Sequence, residues 1–410
     1  MRLAFVDLVF AWPPPGGAQA DLYHTMSGLQ DLGHEVRLFA PSFEHVWRFG
    51  AFDPDALPFP ATRIDFSRRQ YNRREVPERF RQEVDAWKPD VVFICFGRFL
   101  KPYVVEALAH YPTVARYYMY EPLCLRDFCM FEKKNTCETD YLRSPNRCRR
   151  CALRCWKREI KQGEWTGYCR EFLVSRAYAP DYYQVSLRAL ASLNAAIVNN
   201  DIIKSRLEPF FRNVRFIPGG FNVGEVSPKQ DVQKGAGDRK IILMTGRADD
   251  YLKGLTTLVK AGRALSKVRS DFEVWVTHND PTITYPWFKN IGWHDHAGIM
   301  ELYQQADICV VPSLWDEPFG LVAVEAMAAG LPVCASRVGG LQTIVRHGET
   351  GFLFDRKDSA QLALFLERLL SDPEERARMG QAGRTRAEAE YDWKRIVPRY
   401  YPDFLKEVVA

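Results

Sequence analysis

The sequence predicts an α/β fold made of two doubly wound parallel-sheet domains in series. Three observations lead to it. Short apolar runs alternate with helical stretches along nearly the whole chain, as strand–helix–strand units around a parallel sheet do. The alternation opens twice, at LAFVDLVF after Arg2 and at KIILMTG from Lys240, and each opening runs on into glycine, at the strand edge where open α/β sheets bind ligands. The 410 residues suffice for two domains of about 200 residues each. Two such domains imply a cleft between them.

The elements follow in order. The first strand is succeeded by the turn AWPPPGG and by a helix from Ala18 with Leu22, Met26, Leu29 and Leu32 on one face, stopped at Gly33 before the strand EVRLFA. Helices are predicted near 76–88 and 100–110, strands at 90–96 and 113–119, and a long helix or helix pair over 170–193. Strand AAIVNN, a helix ending near Phe211 and strand VRFIP complete the first half. Residues 224–239, rich in glycine, proline and charge, read as the interdomain connection or a loop just past it. The second half repeats the pattern through FEVWVT, DICVVP, PVCAS and GFLF, and the tail 393–410 is helical in pattern.

Composition excludes several classes. Apolar residues make up 47% and charged residues 26%, as in a globular protein. No run reaches the ~18 apolar residues of a membrane span. The N-terminus imitates a signal peptide, but Asp7 interrupts it and no small-residue cleavage site follows, so a cytoplasmic location is expected. The net charge of +5 is no nucleic-acid signature. Arginine is nonetheless concentrated at 68–81, and a second basic segment spans 147–161. Either could meet anionic headgroups at a membrane periphery or an anionic acceptor, or be a solvated face.

The most informative stretch is DEPFGLVAVEAMAAGLPV, residues 316–333. It places Glu317 on a loop and Glu325 eight positions later, inside a predicted helix from about Gly320 to Ala329. The face-mates of Glu325 are Leu321, Val322, Ala328 and Ala329. A carboxylate there needs hydrogen bonds, from sugar or ribose hydroxyls, from backbone amides, or from a buried Lys or Arg. The helix start beside Phe319 and Gly320 suits a phosphate.

The spacing Glu317-x7-Glu325 with Pro-Phe-Gly-Leu inside it resembles the family-4 retaining glycosyltransferases. So do Gly330-Leu-Pro-Val, Arg337-Val-Gly-Gly and His347-Gly-Glu-Thr-Gly-Phe-Leu, while Gly246-Arg247 and Lys253-Gly254 look like that family's diphosphate-binding pair. The likeness covers nearly all of 214–385. It implies a GT-B fold with two Rossmann-like domains facing a central cleft: residues 1–215 on the acceptor side, 216–388 binding the nucleotide sugar, and 389–410 crossing back as a last helix.

The resemblance also implies roles. Arg247 and Lys253 would carry the charge of the leaving diphosphate and, with Glu317, the catalysis. Glu317 and the backbone of Phe319, Gly320 and Leu321 would meet the donor sugar, Glu325 the ribose, and the loop Gly16-Gly17 the donor phosphates. The partners would be a nucleoside-diphosphate sugar and a saccharide or lipid-linked acceptor, without nucleic acid and without a cofactor for catalysis. Where many relatives carry a histidine on the acceptor side, this chain has Tyr117-Tyr118-Met119-Tyr120, so Tyr118 or Tyr120 would take its place. Nothing in the sequence makes either glutamate a proton donor of the glycosidase kind. The rivals are a nucleotide-sugar 2-epimerase and a catalytically inactive binding module.

Seven of the ten cysteines lie between 124 and 169. Cys148-x2-Cys151 is a chelating spacing. Similar inserts in some relatives point to Cys124, Cys137, Cys148 and Cys151 as a structural zinc site, with Cys155 as a substitute. An iron–sulfur cluster and free thiols are the alternatives. Cys95, Cys309 and Cys334 read as core residues.

Overall fold

The computed structural model describes residues 1–14, 16–43, 52–126, 137, 139–161, 163, 166–228, 239–278 and 282–410. The chain forms two units, Met1–Pro218 with Ile396–Ala410, and Gly219–Arg395.

In the first unit the elements run β1 (Arg2–Val6), α1 (Gly17–Asp31), β2 (Glu35–Ser42), β3 (Ala61–Asp65), α2 (Glu75–Trp87), β4 (Val91–Ile94), α3 (Lys101–Leu108) and β5 (Thr113–Tyr117). After these come α4 (Pro145–Lys161), α5 (Gly167–Val174), α6 (Tyr182–Ala191), β6 (Ala195–Val198), α7 (Asp201–Leu207) and β7 (Val214–Phe216). The seven strands are parallel in the order β3-β2-β1-β4-β5-β6-β7. β4, β5 and β6 are buried along their whole length, which is why they read as unbroken apolar runs.

The second unit holds β8 (Lys240–Met244), α8 (Leu255–Leu265), β9 (Phe272–Val276), β10 (Phe288–Asn290), α9 (His296–Gln305), β11 (Ile308–Val311) and α10 (Leu321–Ala328). It continues with β12 (Val333–Ser336), α11 (Leu341–Ile344), β13 (Gly351–Phe354), α12 (Ser359–Ser371) and α13 (Pro373–Arg386). Its parallel sheet has the order β10-β9-β8-β11-β12-β13. Alternate residues of β8 feed two separate cores: Ile241 and Leu243 join the one that holds α10, while Ile242 and Met244 join the one that holds α8 and α12. The last helix, α14 (Trp393–Val409), begins in the second unit, and the chain rejoins the first at Ile396.

One boundary differs from the sequence reading. The units divide after Pro218 rather than 215, because Phe221, Val223 and Val226 belong to the core of the second unit. The Gly/Pro-rich stretch therefore starts inside that unit, and its residues 229–238 lie outside the described residues, as does Cys129. Two strands that the sequence did not reveal, β3 and β10, are sheet edges. Only one residue in each is buried, Ile64 and Phe288, so neither writes an apolar run. The predicted helix pair over 170–193 resolves into α5 and α6.

Candidate active site

In the second unit the sheet order reverses between β8 and β11. Ligands of open α/β sheets bind outside the carboxyl ends of strands at such a point. The loops that leave these two strands carry Arg247 and Lys253 after β8 and Glu317 after β11, and Glu325 stands on the helix α10 that follows.

The loop 312–320 is buried from Pro312 to Pro318, so its polar groups need partners. Leu314 N–H donates to the Leu252 carbonyl at 2.7 Å, and Gly340 N–H to the Glu317 carbonyl at 2.7 Å. Glycine permits both approaches. A Cβ on Gly254, where φ is +79°, would stand 1.9 Å from the Pro312 carbonyl oxygen, and one on Gly339 (φ +49°) 2.2 Å from that of Glu317. This gives a packing reason for two of the motif glycines.

Glu317 is buried. Its Oε1 accepts from Lys253 Nζ at 2.8 Å and from Ser313 Oγ at 2.6 Å. The lysine ammonium is also 5.5 Å from the Trp315 ring centroid. Next to it Asp316 pairs with Arg356 at 2.6 Å. Asp316 and Glu317 are thus both charge-matched within the unit. Arg247 is exposed and forms no ion pair among the described residues. Phe319, Gly320 and Leu321 are half-buried at the start of α10, with Gly320 at φ +118°.

Glu325 is half-buried, and its partner is neither lysine nor arginine. Tyr303 Oη, from a fully buried residue of α9, donates to Glu325 Oε2 at 3.1 Å and is itself 2.9 Å from Thr245 Oγ1. Desolvation pushes the Glu325 carboxyl above its ordinary range, opposed by the Tyr303 hydrogen bond and by His296. The sequence offered no reason for either glutamate to hold a proton, and burial supplies one for Glu325. Tyr303, Thr245 and Ser313 were not foreseen. The available signal was Tyr303 itself, on the stripe of Ile299 and Met300, since a phenol on an apolar face needs a partner.

In the first unit, Gly16 is extended (φ −171°) and caps α1, which starts at Gly17. Tyr118 and Tyr120 follow β5 and are both buried. Burial, then the charges of Asp21 and Cys95, raise the Tyr118 phenol well above its ordinary pKa, so this residue is a hydrogen-bonding group and not a base. Around it stand a buried ion pair, Asp21–Arg116 at 2.6 Å, and Arg116 Nη1 at 3.3 Å from Tyr401 Oη. Asp7, fully buried, accepts from Val9 and Phe96 N–H groups at 2.9 and 3.1 Å, and burial still raises its pKa to about 7.

The cysteine insert has a core of its own. Trp156, Phe172 and Phe99 pack with ring centroids 5.2–6.4 Å apart, joined by Ala152, Cys169 and Tyr182. Cys124, Cys137, Cys148 and Cys151 are half-buried and form no disulfide among the described residues. Burial, followed by the neighbouring thiols of Cys124, Cys137 and Cys151, raises Cys148 to about 12. The four thus share one neighbourhood. Among the described residues, however, no three His, Cys, Asp or Glu side chains are placed to hold a metal ion. The aromatic core is what orders the described part of this segment.

Comparison with known proteins places these features. Solved structures share the fold across the chain. Sucrose-phosphate synthase from Thermosynechococcus elongatus is 20% identical, with 99% of this chain and 98% of that one covered and a TM-score of 0.68. Anabaena HepE, in complex with UDP and glucose, is 17% identical, with 99% of each chain covered and a TM-score of 0.65. The fold is therefore GT-B, with two Rossmann-like α/β domains.

The sequence profile described as "Glycosyl transferases group 1" matches residues 288–386. The D-inositol 3-phosphate glycosyltransferase of Thermobispora bispora is 46% identical over 113 residues, 27% of this chain and 26% of that protein. The phosphatidyl-myo-inositol mannosyltransferase of Mycobacterium leprae is 32% identical over 185 residues, 43% and 49% respectively. Over residues 288–386 the chain is thus similar to the glycosyl transferases group 1. The matches span from about a quarter to about half the length of these two relatives.

Proposed function

We propose that the protein transfers a glycosyl group from a nucleoside-diphosphate sugar to a saccharide or lipid-linked acceptor, with retention of anomeric configuration. One observation carries the reading: two cationic and two acidic side chains stand on the segments that follow the adjacent strands β8 and β11, at the point where the sheet order reverses. Relatives named as an inositol phosphate glycosyltransferase and a phosphatidylinositol mannosyltransferase support glycosyl transfer, and a structural neighbour in complex with UDP-glucose supports the donor class.

In this reading Arg247, exposed and free of ion pairs among the described residues, grips the diphosphate bidentately. Lys253 exchanges part of its contact with Glu317 for the charge that grows on the leaving phosphate, the term that most lowers such a barrier. Glu317 and the backbone at Phe319–Leu321 take the sugar hydroxyls, and Glu325, steadied by Tyr303, the ribose diol. Gly16 and Gly17 approach the donor phosphates, and Tyr118 or Tyr120 orients the acceptor. A phosphate oxygen of the donor takes the acceptor proton, so no metal or other cofactor enters the reaction.

The test is a thermal-shift panel of UDP-, GDP- and ADP-hexoses, followed by release of nucleoside diphosphate from the best binder. Tight binding without turnover on any acceptor would leave a binding module instead.

Two finer points belong to the same proposal. The enzyme works in the cytoplasm at the periphery of an anionic membrane. No helix among the described residues is long and apolar enough to cross one. The thiols of Cys124, Cys137, Cys148 and Cys151 hold a structural zinc ion. Metal analysis of the purified chain against a variant with all four changed to serine tests it, and equal zinc in both defeats it.

A further inference from the structure

The membrane contact in the proposed function needs a surface, and two arginine-rich segments compete for it. In the first, Arg79 and Arg81 are engaged within the fold. Arg81 pairs with Glu78 at 2.6 Å and with Asp85 at 3.1 Å, while Arg79 donates to the Asp65 carbonyl and lies over the Phe66 ring. The second is α4, and it is built differently. Arg147, Arg150, Arg154, Lys157, Arg158 and Lys161 are all exposed. At 100° per residue they fall within an arc of about 100°, one face of the helix. Trp156, Ala152 and Cys155 on the other side are buried. The helix has a single acidic residue, Glu159, which accepts from Cys155 Sγ at 3.4 Å.

We propose that this face of α4 is the surface by which the protein docks on an anionic lipid bilayer. The inference rests on the reading of a membrane-associated acceptor and names the element that makes the contact. Seventeen residues give a straight rod of about 25 Å, which presents its cations side by side to a plane. Each Lys or Arg near an anionic surface strengthens binding about fivefold. The only aromatic residue of the helix, Trp156, is packed inward. The stripe therefore offers no stacking platform for the bases of a single-stranded nucleic acid.

The experiment is co-sedimentation of the full chain with phosphatidylcholine vesicles, with and without about one-third phosphatidylglycerol. The protein is expected to bind the anionic vesicles, to ignore the neutral ones and to be released by salt. Changing Arg147, Arg150, Arg154, Lys157 and Arg158 to glutamine should weaken binding at least a hundredfold. The four arginines changed to lysine should retain it within a few fold, because lipid attraction reads charge and not guanidinium shape. Arg68, Arg69 and Arg74 changed to glutamine should leave it unaltered.

Donor turnover without lipid, read as nucleoside diphosphate release, should be equal in all variants. Vesicle binding without turnover in any of them would defeat the transferase reading and leave the docking face standing. Undiminished vesicle binding by the correctly folded glutamine variant, or wild-type binding to oligonucleotides and not to vesicles, would overturn the proposal.

Discussion

Lys253 and Glu317 hold one another at 2.8 Å with Ser313 as a third member, so a substitution at either leaves a poorly solvated charge on the other. Lys253→Met is expected to lower nucleoside diphosphate release by 10²–10³-fold, about 3–4 kcal/mol, with a smaller rise in donor KM. A change in KM alone would place the lysine outside the developing charge. Glu325 adds a pH signature. Its carboxyl is held up by burial, and only the ionised form accepts from both hydroxyls of a diol. Donor affinity should fall as pH drops through that raised pKa, with the dependence gone in Glu325→Gln. Asp7 carries the opposite kind of message. Its pKa is about 7 in the fold against 3.8 unfolded. Between those values the native state binds more protons, so its contribution to stability declines as pH rises. Relative to Asp7→Asn, the wild type should lose about 2–3 kcal/mol between pH 5 and pH 8 in urea unfolding. A pH-independent difference would refute the assignment.

Among the elements, those with an unbroken apolar pattern were legible and the half-exposed ones were not. β1, β4, β8 and β11 are central strands that write continuous hydrophobic runs, and α10 is bounded by Gly320 and Gly330, both at positive φ. The edges β3 and β10 write almost nothing. The donor half of the site was legible because its glycines and glutamates are tied to local backbone geometry. Tyr303 and Thr245 were not, because Tyr303 reaches Glu325, and Thr245 reaches Tyr303, only through tertiary packing. The insert shows the same limit. Its cysteine spacing drew attention to metal, while Phe99, Trp156 and Phe172, distant in sequence, form its core. Trp156→Ala is therefore expected to cost about 3–5 kcal/mol of local stability, read as lost hydrogen-exchange protection in α4 and α5. Serine at Cys148 and Cys151 should cost clearly less in the metal-free protein. The reverse order would make the thiols the main support.

At the scale of the whole molecule, the chain path makes the two units unequal. The second is one continuous segment, 219–395, with its own six-stranded sheet and a core on each face. A segment of that size with a complete core can fold alone. The first unit is discontinuous and takes its last fifteen residues, Ile396–Ala410, from the far end of the chain. They are not an ornament. Tyr401 and Phe404 lie in its core against Phe93 at 6.3 and 6.5 Å between ring centroids, and Tyr401 Oη stands beside the Asp21–Arg116 pair. Val397 fills the space beside Gly28 of α1, where a Cβ would approach to 2.9 Å. Expressed alone, residues 219–395 should unfold cooperatively and still bind a nucleoside diphosphate, since Arg247, Lys253, Glu317 and Glu325 are all within them. Removal of 396–410 from the full chain should leave that binding in place and abolish the first unit's transition, because an ion pair and several aromatic contacts lose their cover together. If the shortened chain kept both transitions, the helix would be an accessory to the first unit, and the buried pair at Arg116 would owe its stability to the sheet alone.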